Sequence, residues 1–116
     1  MSSFLILASY LPKTWATLVK DPKNRLEVAI PIVDNLGGKI VCAFLAFGEY
    51  DSVAIVDMPD DITAASLSMA LSASGAFKSV KTTRLLDWKD AVEAMKKAKK
   101  VLFNLPNDAP IFLKRV

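Results

Sequence analysis

An α+β fold built on an antiparallel sheet is predicted by the order of patterns along the chain: strand, helix, strand, strand, helix, strand, then a further helix. Two observations support that order. The first three strand candidates are apolar at consecutive positions, whereas the fourth mixes apolar and polar residues. Between the second and third candidates there is only a short Gly-Glu turn, which makes that pair a hairpin. With 116 residues, 53% apolar and 23% charged, the chain has the size and composition of one globular domain.

The first strand, Phe4 to Tyr10, is apolar up to Ser9-Tyr10 and stops before Pro12. Thr14 to Lys20 reads as a brief helical turn. Asp21-Pro22 then reads as the N-cap and first position of the first main helix, about 15 residues long. Leu26, Ala29 or Ile30, Val33 and Leu36 form its apolar stripe, and Gly37-Gly38 its left-handed stop. Pro31 inside it removes one backbone hydrogen bond, at a cost of about 3 kcal/mol, and should kink the axis.

Ile40 to Phe47 holds no polar residue, and Gly48-Glu49 turns it into a third strand, Tyr50 to Met58. Pro59-Asp60-Asp61 ends that strand and caps an alanine- and serine-rich helix, Ile62 to Ser74, which stops at Gly75. Phe77 to Leu86 is the fourth strand, polar enough for a sheet edge. Asp87 caps the last helix, with Asp90 three residues on and Trp88, Val92, Met95 and Ala98 along one stripe. The tail from Phe103, with Leu105, Ile111, Phe112 and Leu113, is too apolar to be a solvated extension. Residues 1–116 are thus expected to form a single domain, with a core over about 4–86 and a helix and apolar tail over about 87–116.

This order is the ferredoxin-like β-α-β-β-α-β plan, in which both crossover helices cover the same sheet face. Three strands apolar on both faces then leave one apolar face uncovered, larger than monomers usually expose. A second copy is the expected cover, giving a face-to-face dimer, alone or within a larger ring.

The chain has no histidine and one cysteine. Serine-histidine and cysteine-histidine catalysis, histidine-bound zinc and histidine-ligated haem are therefore excluded. Cys42 lies in the apolar run Ile40 to Phe44 and has no partner for an internal disulfide, which fits a small buried thiol in a reducing cytoplasm. The N-terminus lacks the basic region of a signal peptide, and no run approaches the roughly 18 apolar residues of a membrane span. A soluble, cytoplasmic protein is expected, with no membrane partner. The net charge of +3 is local: without Lys96, Lys97, Lys99 and Lys100 the balance is −1, 11 cations against 12 anions. Those lysines read as a solvated helix end suited to the macrodipole, with a polyanion-binding role as the weaker alternative.

Gly48-Glu49-Tyr50-Asp51, the apolar strand Val53 to Val56, and Asp57-Met58-Pro59-Asp60 opening an alanine-rich helix that ends at Gly75 together resemble the GYD domain family. Asp21-Pro22 with Arg25, and Leu36-Gly37-Gly38, are similar to that family too, so the resemblance spans about residues 4–86. It implies a small bacterial or archaeal ferredoxin-like domain of the dimeric α/β-barrel type without an established activity. Asp57 where glutamate is more usual, Pro31 and the long apolar tail depart from the family pattern.

Six residues are candidates for ligand binding: Tyr10, Trp15, Arg25, Tyr50, Asp51 and Arg84. Tyr50 and Asp51, where a hairpin meets the sheet, supply a hydroxyl and a carboxylate that can act as acid and base on a small ligand. Alternatively, Asp51 only bonds turn amides. Arg25 and Arg84 can clamp an acidic ligand or pair with Asp51 or Glu49, and Tyr10 and Trp15 line a cavity or belong to the core. Asp57, Asp60 and Asp61 can gather a cation, but capping and dipole complementarity account for the last two, so neither metal nor cofactor is expected. RNA-binding relatives of this topology need stacking aromatics on the first and third strands, and none follows Tyr50 on the third. No nucleic-acid partner is expected. Three functions stand: an oligomeric domain with a small-molecule pocket at the sheet face, a cofactor-independent oxygenase- or isomerase-like enzyme on a small aromatic compound, or a structural or regulatory interaction module.

Overall fold

The computed structural model describes residues 1–104, which fall into two units, Met1–Leu85 and a second beginning at Leu86. The first contains β1 (Ser2–Tyr10), α1 (Pro12–Lys20), α2 (Leu26–Asn35), β2 (Lys39–Leu45), β3 (Ser52–Met58), α3 (Asp61–Ala73) and β4 (Phe77–Leu85). Its four strands form one sheet in the order β2-β3-β1-β4, with every neighbouring pair antiparallel. This is the expected α+β, ferredoxin-like arrangement.

Alternation along the strands sends Phe4 and Ile6 of β1 and Val56 and Met58 of β3 to the helix-covered face. There they pack with Val33 of α2 and with Ala64 and Leu67 of α3, and Met58 is completely enclosed. The small residues of α3 allow the close approach that buries Ala64. Its start follows the sequence reading, since the Asp60 carboxylate accepts the Thr63 N–H at 2.7 Å. That hydrogen bond, followed by one from the Thr63 side chain, holds the Asp60 carboxyl below its ordinary value, against a small opposing effect of desolvation.

The first crossover differs from expectation. Instead of a brief turn and one long helix it contains two helices, and Asp21-Pro22 closes the first rather than opening the second. Pro12 takes the first helical position of α1, where its missing N–H costs nothing. Asp21, restricted by the following proline, leaves the helical region at φ −133° and ψ 80°. The Asn24 side chain supplies the oxygen at the start of α2, accepting the Leu26 N–H at 3.0 Å. The α2 helix runs through Pro31, so the Glu27 carbonyl lacks its usual donor. It ends as predicted at the glycine pair: Gly37 has φ +77°, its N–H donates to Asp34, and the Gly38 N–H donates to Val33, the paired bonds of a Schellman ending.

On the opposite sheet face, the register aligns Leu5 with Ile55, Leu7 with Val53, Phe44 with Val53 and Cys42 with Ile55. No helix of Met1–Leu85 covers these residues; Phe44 is 68% exposed and the others are half-buried. Within Met1–Leu85, the second apolar sheet face predicted from strand parity is therefore present.

In the second unit, α4 (Trp88–Phe103) begins at Asp87, whose carboxylate accepts the Asp90 N–H at 2.8 Å. Trp88, Val92 and Met95 on its apolar stripe are exposed. Leu105, Ile111, Phe112 and Leu113, expected to be buried, lie outside the described residues.

Candidate functional site

At the end of the sheet where β1 runs into α1, the turn between β2 and β3 folds against the last residues of β1. The Asp51 carboxylate accepts the Tyr10 backbone N–H at 2.9 Å, the Asp51 N–H donates to the Ala8 carbonyl at 2.9 Å, and its carbonyl accepts the Ala46 N–H at 2.8 Å. The side chain of Asp51 therefore bonds a backbone amide as one sequence reading held, although the amide belongs to β1 and not to the turn. Buried Ser9 adds a second tie, its hydroxyl donating to the Glu49 carbonyl at 3.0 Å. These bonds join segments about 40 residues apart and hold the turn rigidly on β1.

A cleft of about 360 Å³ opens here, lined by Ser9, Tyr10, Glu49, Tyr50, Asp51 and Lys78 among others. Trp15 of α1 packs edge-on against the Tyr10 ring at 5.2 Å, and Phe77 stacks on that ring at 5.4 Å. Tyr10 is thereby positioned by its neighbours while still facing the cleft. Three of the six sequence candidates, Tyr10, Tyr50 and Asp51, meet at this place, and Trp15 packs against the first of them. Lys78 and Ser9 were not anticipated. Lys78 arrives because β4 pairs with β1 so that Phe77 opposes Tyr10, a register that the sequence of β4 alone does not state.

Arg84 and Arg25 lie elsewhere. Arg84 opposes Phe4, six residues and roughly 20 Å along β1 from Tyr10. Its Nε lies 3.5 Å from Asp61 Oδ1, its guanidinium sits over the Phe4 ring at 5.5 Å, and it donates to the Leu85 carbonyl. Its carboxylate partner is thus Asp61 rather than Asp51 or Glu49. It stands at a groove of about 670 Å³ between α3 and β4, floored by Phe4 and Thr82 and walled by Ala65, Ser68 and Met69. Arg25 stands at the start of α2, where its carbonyl accepts the Val28 and Ala29 N–H groups.

The acidic trio has separate tasks. Asp57 accepts the Ser3 hydroxyl at 2.5 Å, Asp60 caps α3 and Asp61 pairs with Arg84. Among the described residues no group of three or more acidic or cysteine side chains gathers as a metal site.

The turn, β3 and the Asp60 cap are the segments in which the sequence resembles a known family, and a family model described as the GYD domain matches residues 4–95. The chain belongs to the GYD domain family. The match runs past β4 into the first half of α4, further than the motifs alone suggest. This GYD domain is 29% identical over 80 residues to a Thermus thermophilus protein described as a glutamine synthetase and cystathionine beta-lyase binding protein, an alignment covering 69% of this chain and 84% of that one. Among solved structures it is similar to one described as the crystal structure of FFRP-DM1, with a TM-score of 0.46 and 14% identity over 74% of this chain and all of the other.

Proposed function

We propose that this GYD domain is a homo-oligomeric protein-binding module, assembled through its open sheet face and acting on the enzymes it docks to. The observation that carries this reading is the apolar sheet face of Leu5, Leu7, Val53, Ile55 and Phe44, over which Met1–Leu85 places no helix. A second copy placed face to face removes that surface from water, at about 25 cal/mol per Å² of apolar area. The similarity to a protein described as binding two enzymes supports the interaction role. Free Cys42 fits a reducing bacterial cytoplasm. No helix among the described residues is long and apolar enough to cross a membrane.

Sedimentation equilibrium tests the assembly: the protein sediments at two chains or more, and Ile55→Glu, which puts a charge on the face, lowers that mass. A mass of one chain at all concentrations would sink this reading. Binding is tested by calorimetric titration with purified glutamine synthetase and cystathionine β-lyase from the same source. Saturable heat with at least one is expected, and none with either rejects those partners.

A second reading is favoured by the cleft, where Tyr10 and Tyr50 stand beside both Lys78 and Glu49. Such a site suits a small aromatic acid. In a thermal-shift screen, stabilisation that Lys78→Ala abolishes supports it.

A further inference from the structure

We propose that the groove between α3 and β4 binds an amphipathic carboxylic acid, a fatty acid or a compound built like one, with its head on Arg84 and its chain along α3. All the lining residues belong to Met1–Leu85, and the volume of about 670 Å³ is in the range of small-molecule sites. The groove lies on the helix-covered side of the sheet, at the opposite end of β1 from the Tyr10 cleft. It is therefore separate from both the cleft and the open sheet face.

Charge gives the groove a head and a tail. Asp61 and Arg84 stand together at one end, and no other lining residue is charged. The two are not equivalent. The Asp61 side chain is 79% exposed and that of Arg84 46%, and the guanidinium is held at the floor, over the buried Phe4 ring. The charge inside the groove is thus positive. Nε of Arg84 faces Asp61 and Nη1 donates to the Leu85 carbonyl, which leaves both Nη2 hydrogens and one on Nη1 to meet a carboxylate. An exposed ion pair at 3.5 Å contributes little, so Asp61 yields to an acid seated on the guanidinium.

Beyond Arg84 the lining suits a hydrocarbon chain. From Asp61 to Ala73 the groove follows α3 for roughly 18 Å, about the length of an extended laurate or myristate. Ala64 and Phe4 form its buried floor, and Met69 is an adaptable apolar wall. Midway, the Thr82 hydroxyl donates to the Ser68 hydroxyl at 3.0 Å. These two polar side chains bond to one another and ask for no polar atom in the middle of the ligand.

Calorimetric titration with laurate, below its micellar concentration and at mildly alkaline pH, tests the site. Saturable binding of one laurate per chain is expected. Arg84→Gln removes the positive head group, and Ala65→Phe fills the groove from an exposed position without entering the core. Each should weaken binding at least tenfold while melting like the wild type; if Ala65→Phe does not fold, Ser72→Phe at a second exposed lining position takes its place. Dodecyltrimethylammonium, with the same chain and the opposite charge, should bind at least tenfold more weakly than laurate. No saturable binding, wild-type affinity in either folded variant, or equal affinity for the cationic amphiphile overturns the proposal. Loss of laurate binding in Ile55→Glu with Arg84→Gln unaffected overturns it too, by placing the chain on the open sheet face.

Discussion

Gly38 shows most sharply how one residue of this chain is constrained. A Cβ there would lie 2.5 Å from the Met58 sulfur and 2.8 Å from the Asp57 carbonyl oxygen. The sulfur can swing aside, but the carbonyl belongs to β3 and moves only with the strand. Gly38→Ala is therefore expected to destabilise the protein by about 1–3 kcal/mol in denaturant titration, through overpacking rather than backbone strain. Asp60 provides a pH test. Its folded carboxyl titrates below the ordinary carboxylate value because the ionised form accepts the Thr63 amide. Its charge thus contributes stability above that ordinary value, and the contribution disappears as pH falls through the lower folded one. Asn also caps helices, so Asp60→Asn isolates the charge. The stability gap between wild type and Asp60→Asn should shrink steadily on acidification below about pH 4 in paired melts.

Among the elements, α4 starts with the same device. Asp87→Ala removes the acceptor for the Asp90 N–H, at an expected cost of about 1 kcal/mol to the helix. Faster hydrogen exchange confined to the first turn of α4 would show it; no change would mean water replaces the carboxylate without cost. The C-terminal end of α2 and the starts of α3 and α4 were legible in the sequence because each depends on residues within five positions of one another. Asp21-Pro22 was not. The same dipeptide can close a helix before it or open one after it, and α1 forms here with Trp15 packed on Tyr10 and Thr14 bonded to the Ala76 carbonyl at 2.6 Å. Those partners are distant in sequence, and Ala76 is 62 positions from Thr14.

At the level of the whole molecule, the proposed assembly rests on the open sheet face of Met1–Leu85. Under it, Ile55→Glu is expected to reduce the sedimenting mass toward one chain. A variant that keeps the full mass would place the contact on a surface outside this face.

Alternating and unbroken apolar patterns are local properties, and they were enough to establish four strands and a second apolar sheet face. The missing histidines and the single cysteine removed whole reaction classes on composition alone. The cleft required more. Ser9 meets Glu49, Tyr10 meets Asp51, and Lys78 stands beside them through strand register, which depends on how β1 sits between β3 and β4. The same register separates Arg84 from the cleft and gives it to Asp61. A sequence states which faces are apolar because side-chain parity is set within a strand; it does not state which residues meet, because a shift of one position between strands changes every pair at once.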